Sequence, residues 1–338
     1  MTDHPRLKPL TRAPWRTRWG WPFAALVALM VVLSLRPVHA ADWPIRAVTI
    51  VVPYAAGGNT DTMARIVAER LSQKLGQPFI VENIAGASGT IGTMRVARDA
   101  PDGYTLLFCS ASQIIIAPLV QKVSYDAAKD FVPISVFGAG PYILGVKSAL
   151  PVATLPEFIA YAKSNPGKLN YASAGEGGII HLTTALFLSK AGLDVVHVPY
   201  KSGAPALGAL MTGEIEMYFG NASELVQQAA NDRIRLLAVS SSDRLQQLPN
   251  VPTVAEFYPG FRITSWNGFL APAGTPQAIV DTVARETRDA ARDPEIAARL
   301  RKLGIEPGGA DPAEFAQIIR EEDALYRDAL KLAGVKPE

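Results

Sequence analysis

Residues 48 to 76 read "VTIVVPYAAGGNTDTMARIVAERLSQKLG", and this stretch decides the fold class. Val48 to Pro53 is a short β-branched run of the kind that forms a buried strand. From Thr60 the pattern changes period. Met63, Ile66, Val67, Leu71 and Leu75 recur at helical spacing on one face, Asn59 or Thr60 stands where a cap belongs, and Gly76 ends the segment. A strand, a turn holding Gly57 and Gly58, and a helix follow one another within thirty residues. The turn aims the first backbone N–H groups of the helix outward, together with the positive end of its dipole. It is either an anion site or an ordinary strand-to-helix loop. It is no nucleotide loop, because no Walker lysine follows the glycines and the spacing is not G-x-G-x-x-G.

Outward from that unit the same alternation continues. Strands are expected at Phe79–Glu82, Thr105–Cys109, Phe131–Phe137, Tyr142–Val146, Leu169–Ala172, Val195–Val198, Glu214–Phe219 and Arg235–Ser240. His181–Ala191, closed by Gly192, is a further helix, and the segments after Thr275 read as helices without a convincing strand. The class is α/β. Three more glycine-containing turns follow strands: "ENIAGASGTIG" with Gly86, Gly89 and Gly92; "SAGEGGIIHL" with Gly175, Gly177 and Gly178; and "VPYKSGAPALG". Open α/β folds bind ligands at the carboxyl ends of their strands, so one shared cleft is the economical reading.

The chain has 338 residues, 49% of them hydrophobic, enough for about two domains. Residues 1 to 40 stand apart. They carry Arg6, Lys8, Arg12, Arg16, Arg18 and Arg36, then the apolar run "FAALVALMVVLSL" from Phe23, too short to span a bilayer comfortably. Val38 and Ala40 satisfy the small-residue rule for signal-peptide cleavage, which places the cut between Ala40 and Ala41 and exports the mature protein. The leader holds six of the 33 basic residues and one of the 31 acidic ones. The mature chain therefore has 27 basic and 30 acidic residues, a formal charge of −3, and nothing in that balance points to nucleic acid. The single Cys109 excludes an internal disulfide and reads as a packing residue in the buried strand "TLLFCS".

Catalytic and metal patterns are missing. The mature chain has only His181 and His197, no H-E-x-x-H, no C-x-x-C, no nucleophile elbow and no carboxylates at metal-ligand spacing. His197 alternates with Val196 and Val198 and reads as structural. His181, at a helix start beside a glycine-rich turn, either touches a ligand or bonds the loop backbone.

Taken together, "PIRAVTIVVPYAAGGNTDTMARIVAERLSQKLGQPFIVENIAGASGTIG" from Pro44, "APDGYTLLF" from Ala100, "YDAAKDFVPIS" from Tyr125, "NPGKLNYASAGEGGIIHL" from Asn165, "VPYKSGAPALGALMTGEIE" from Val198, "LPNVPTVAEF" from Leu248 and "SWNGFLAPAGTP" from Ser265 resemble the Bug family, the substrate-binding proteins of tripartite tricarboxylate transporters. The match spans the mature chain in order. The resemblance implies a periplasmic, monomeric receptor with a type II periplasmic-binding-protein fold, no cofactor and no metal, that is not an enzyme. Its domain 1 would comprise 42–141 and 265–338 and its domain 2 142–264, joined by a two-crossover hinge around the ligand cleft. The ligand would be a small carboxylated molecule (a dicarboxylate, an amino acid or an aromatic acid), passed to membrane transporter subunits. A sensor module for a membrane signalling partner is the alternative, with an exported hydrolase or isomerase of organic acids behind it.

By the same resemblance, Tyr54, Ala55, Ala56, Gly57, Gly58 and Asp61 face Glu176, Gly177, Gly178 and His181 across the cleft, with Asp61 bonding its own loop. Ser110, Ser112, Tyr200 and Asn221 would complete the site. Two residues depart from the family pattern: Glu176 stands where a small or amide residue is common, and Gly178 where a Ser or Thr is common. A Glu176 that entered the cleft, with Lys201 as a partner, would favour a ligand carrying a donor opposite its carboxylate. Tyr54, Tyr200 and Trp266 are candidate aromatic faces for it.

Overall fold

The computed structural model describes residues 43–333, so the leader and its cleavage site lie outside the described residues. Among the described residues there are ten strands: β1 (Val48–Val52), β2 (Phe79–Asn83), β3 (Thr105–Ser110), β4 (Phe131–Lys147), β5 (Asn170–Ser173), β6 (Val196–Pro199), β7 (Met217–Asn221), β8 (Ile234–Val239), β9 (Thr264–Pro272) and β10 (Glu306–Pro307). The helices are α1 (Asn59–Leu75), α2 (Thr90–Ala97), α3 (Ala117–Val120), α4 (Leu155–Lys163), α5 (Ile179–Ala191), α6 (Gly203–Thr212), α7 (Ala222–Leu225), α8 (Gln277–Arg292), α9 (Pro294–Lys302) and α10 (Pro312–Ala333).

β1 pairs in parallel with β2 and β3, as strand–helix–strand connections require. α1 buries Met63, Ile66, Val67 and Leu71, the face read from its spacing, and Gly76 ends it in the left-handed conformation at φ 71°. Its cap is Gly58, one residue before the expected one, with no side-chain hydrogen bond. Around β5 the pattern repeats, with β6 and β7 parallel to it. The strand order is β2-β1-β3-β9-β4-β7-β5-β6, with β8 and β10 also on β4.

The centre differs from the sequence expectation. Phe131–Phe137 and Tyr142–Val146 are parts of one 17-residue strand, because Gly138 to Pro141 stay extended and pair with Asn267, Trp266, Ser265 and Thr264 of β9. Gly138 and Gly140 fall outside both expected strands. Their actual role is close approach, since a Cβ on Gly138 would lie 2.9 Å from both Ile305 and Met63, and one on Gly140 3.1 Å from the Gly304 carbonyl. β9 itself was missed. It lies between β3 and β4 and is buried almost throughout, so it shows no alternation of apolar and polar residues. The two-residue β10, paired with Gly138 and Ala139, likewise interrupts a tail read as wholly helical.

The turn from β5 into α5 rests on a stack of three rings. Tyr171 and His197 lie 4.8 Å apart between centroids, and His197 and His181 4.1 Å. The Gly177 N–H donates to His181 Nδ1 at 3.0 Å, which requires that nitrogen to be unprotonated. Ser173 Oγ meets His197 Nε2 at 2.7 Å. Burial, and then the neighbouring His181, depresses the His197 pKa to about 4, and burial outweighs Glu176 in lowering that of His181. Both histidines are structural here, as His197 was read to be.

Two outcomes follow for stability. A Cβ on Gly268 of β9 would lie 2.6 Å from the Ser135 carbonyl oxygen and 3.2 Å from the Phe315 ring, so Gly268→Ala is expected to cost about 1–3 kcal/mol in urea denaturation. For His197 the folded pKa is depressed, so its contribution is complete above the ordinary value of 6.5 and lost as pH falls toward about 4. The melting temperature of His197→Gln should therefore fall less between pH 7 and pH 4.5 than that of the parent. An equal fall in both would show that this ring is not the acid-sensitive element.

Candidate functional site

All four glycine-containing turns contribute to one cavity: Gly58 from the first, Ser88 from the second, Gly175 and Gly178 from the third, Ser202 and Gly203 from the fourth. All four turns lead into helices, and at three of them the cap residue itself lines the cavity: Gly58, Gly178 and Ser202, the caps of α1, α5 and α6. None of the three caps makes a side-chain hydrogen bond to its helix. Three helix amino ends therefore face the same cavity, each with the equivalent of about half a positive charge. No Lys, Arg or His is among the lining residues.

Hydroxyl and amide groups form the rest of the wall. Gln113 Nε2 donates to Tyr54 Oη at 2.8 Å, and Ser110 Oγ lies 3.5 Å from the same oxygen. The Ile179 N–H at the start of α5 donates to Ser112 Oγ at 2.9 Å. Thr60 Oγ1 donates to Asn267 Oδ1 at 2.8 Å, and Ser223 Oγ to Asn59 Oδ1 at 2.6 Å. The Ile179–Ser112 and Ser223–Asn59 bonds tie the β1 side of the molecule to the α5 and α7 side. Two hydroxyls are left over. Tyr142 Oη and Ser202 Oγ line the cavity, belong to residues only 1% exposed, and make no hydrogen bond. Ser265 stands beside Tyr142 and offsets part of the rise that burial imposes on its phenol pKa, without reaching hydrogen-bond geometry. A buried polar group without a partner costs about 1–3 kcal/mol, so these two await something polar.

One carboxylate stands in the wall. Glu224, 8% exposed, accepts the Asn59 N–H at 3.2 Å and Asn221 Nδ2 at 3.4 Å on Oε1, and the Tyr218 hydroxyl at 2.9 Å on Oε2. Burial pushes its pKa up, and those three donors pull against it. A Cβ on Gly203 would collide with this carboxylate, so the glycine leaves Glu224 room to sit where it does.

Of the expected site residues, Tyr54, Gly58, Ser110, Ser112, Gly178 and Asn221 line the cavity. The others do not. At Gly57 φ is 88°, Ala56 and Gly57 are exposed, and the half-buried Ala55 does not line the cavity. Asp61 holds the loop from the rear, accepting the Gly57 N–H at 2.9 Å, Asn83 Nδ2 at 3.0 Å and the Arg65 guanidinium at 2.9 Å. Burial raises the Asp61 pKa, but Arg65, Gly57 and Asn83 together leave it below the ordinary value. Gly177 and His181 support the third turn.

Glu176 is exposed. Its carbonyl accepts Ser88 Oγ, and the positive φ angles of Gly175 and Gly177 turn its side chain into an outer groove shared with Tyr200 and Lys201. No ion pair joins Glu176 to Lys201, and Tyr200 Oη donates to Glu214 at 2.8 Å. Trp266 is no aromatic face for a ligand, because its indole N–H donates to Glu322 at 2.7 Å and its ring packs on Phe315.

Sequence reasoning missed Asn59, Thr60, Ser88, Tyr142, Ser202, Glu224, Ser265 and Asn267. Asn59 and Thr60 were legible as helix-start residues but were read as caps. Glu224 looks like any acid in the first turn of a surface helix, and Tyr142 like any apolar strand residue.

The cavity and its loops have counterparts elsewhere. Residues 63–333 match the model of the tripartite tricarboxylate transporter family receptor. A relative from Pseudomonas sp. (strain P51), described as a UPF0065 protein in the tcbD-tcbE intergenic region, is 35% identical over 306 residues, which cover 90% of this chain and 91% of the relative. The R. palustris protein Rpa4515, solved with adipate, superposes with a TM-score of 0.86 at 36% identity, covering 88% of this chain and 100% of that one. The periplasmic binding protein BugD superposes with a TM-score of 0.84 at 33% identity, over 88% and 100% of the two chains. The chain belongs to the tripartite tricarboxylate transporter receptor family, whose solved members are periplasmic solute-binding proteins of this α/β fold.

Proposed function

We propose that the protein is an extracytoplasmic solute receptor that captures a small carboxylated metabolite in this cavity and delivers it to the membrane subunits of a tripartite tricarboxylate-type transporter. The observation that carries the reading is the convergence of three uncapped helix amino ends with the unpartnered hydroxyls of Tyr142 and Ser202. Such a wall stabilises a carboxylate by fixed N–H and O–H dipoles, with no cation. Adipate in Rpa4515 supports the ligand class.

The cavity is about 30 Å³, room for a water or two and too little for an organic acid. Ligand entry therefore requires the walls to part. The division that serves this takes 42–141 with 265–338 as one lobe and 142–264 as the other, the hinge being where β4 and β9 pass between them at Pro141–Tyr142 and Thr264–Ser265. Residues 1–40 direct export and are then cut off between Ala40 and Ala41.

A thermal-shift screen of organic acids tests the reading. A bound acid at a hundred times its dissociation constant adds about 2.7 kcal/mol of stability, and it must be recovered unchanged, since a receptor consumes nothing. Tyr142→Phe and Ser202→Ala carry a distinctive signature: each should weaken binding by about 1 kcal/mol in calorimetry while leaving the empty protein as stable or more so, because each removes an unpaired buried hydroxyl. Gly58 has φ −83°, open to any residue, and a Cβ there meets nothing closer than 3.7 Å. Gly58→Val should thus keep the fold and abolish binding by filling ligand space. Unchanged affinity in that variant would remove the first turn from the site.

A further inference from the structure

The cavity is lined by one carboxylate and no cation, and that carboxylate sits against two of the three helix ends. Glu224 Oε1 accepts the Asn59 N–H in the first turn of α1, and its carboxyl group packs against Gly203, the first residue of α6. An internal anion thus already occupies two of the three helix amino ends. The third, at Gly178 and Ile180 of α5, has Ser112 and Tyr54 on the same cavity and no acid beside it. Ser202 Oγ and Tyr142 Oη, buried and unpartnered, line the space as well.

Charge decides what fits. Three helix ends of about half a charge each are enough for roughly one and a half anions, of which Glu224 is one. A dicarboxylate would bring the closed cavity to three carboxylates, two of them crowded against ends that are already neutralised. In a desolvated site a like-charge contact of this kind costs several kcal/mol, and so does an unpaired buried charge. An acid with one carboxylate at the α5 end and an ammonium or other N–H donor at the opposite end meets the opposite situation. Its donor faces a carboxylate held in place by Tyr218, Asn221 and Asn59, and the ligand and Glu224 together satisfy the cavity.

We propose that Glu224 determines specificity: it restricts this receptor to acids that present an N–H donor, above all an ammonium group, opposite their carboxylate, and it rejects plain dicarboxylates. This rests on the carboxylate-receptor reading above. It moves to Glu224 the discriminating role that the sequence had offered to Glu176, whose side chain faces solvent.

The test is calorimetry on the purified protein and on Glu224→Gln with acids paired by length: succinate with 4-aminobutyrate and aspartate, glutarate with 5-aminopentanoate and glutamate, adipate with 6-aminohexanoate. The glutamine keeps an acceptor for the Asn59 N–H and removes the charge, while its NH2 group can donate to the Tyr218 hydroxyl, which donates to the carboxylate in the parent. The parent should bind the tightest amino acid of the panel at least about thirtyfold more tightly than its dicarboxylate match, and Glu224→Gln should collapse or invert that ratio. A parent that binds a dicarboxylate as well as or better than its amino counterpart overturns the proposal without any variant, so a misfolded Glu224→Gln would not shield it. A ratio unchanged in a folded Glu224→Gln overturns it too. If no acid in the panel binds either protein, the receptor reading itself fails, an outcome distinct from binding without discrimination.

Discussion

The antiparallel pairing of β4 with β9 is the constraint on which the rest of the molecule depends. From Phe131–Pro272 to Pro141–Thr264 these strands form the centre of the sheet path; Gly268 of β9 has no side chain to strike the Ser135 carbonyl of β4, and Gly138 and Gly140 of β4 let Met63, Ile305 and the Gly304 carbonyl lie against the strand. Beyond Pro141 the same strand continues into a second set of partners, β7 and β8. Tyr142, Ser265 and Asn267, three of the polar groups in the cavity wall, stand on this pair at the point where β4 changes partners. The scaffold and part of the recognition surface are therefore the same two strands.

Recognition at the other walls depends on what the helices lack. A serine or aspartate cap would satisfy the first N–H groups of α1 and α5 and remove them from use. Glycine caps leave these donors directed at the cavity, and Asp61, which does bond a loop N–H, does so from behind at Gly57. The site thus meets negative charge with fixed dipoles and hydroxyls. Such groups need no reorganisation when a ligand arrives, and they discriminate through geometry and through the one formal charge among them, Glu224.

The α/β class was legible because it depends on local periodicity. A β-branched run followed by a 3.6-residue apolar repeat and a terminal glycine has one stable reading, and α1 and α5 end at Gly76 and Gly192 as expected. The family was legible because many short motifs occurred in one order. Glycine-rich turns after strands pointed to a single cleft, and residues of all four turns line one cavity. The individual wall residues were less legible, since Tyr54 and Asp61 belong to the same nine-residue loop yet point to opposite sides of it.

What the sequence determined by itself was therefore set within a few residues of chain: strand and helix periods, the glycines that close α1 and α5, and the glycine-containing turns that follow the strands. The tertiary structure alone decided the continuity of β4 through its glycines, the central position of β9, and the exchange of roles between Glu176 and Glu224. Both acids follow a strand by a few residues, and nothing local distinguishes them. Glu176 sits between two glycines whose positive φ angles turn it to solvent, whereas Glu224 is held inward by Tyr218 from the preceding strand and Asn59 from a helix 165 residues earlier. Burial of a charge depends on partners that arrive from elsewhere in the chain, and only the folded molecule brings them together.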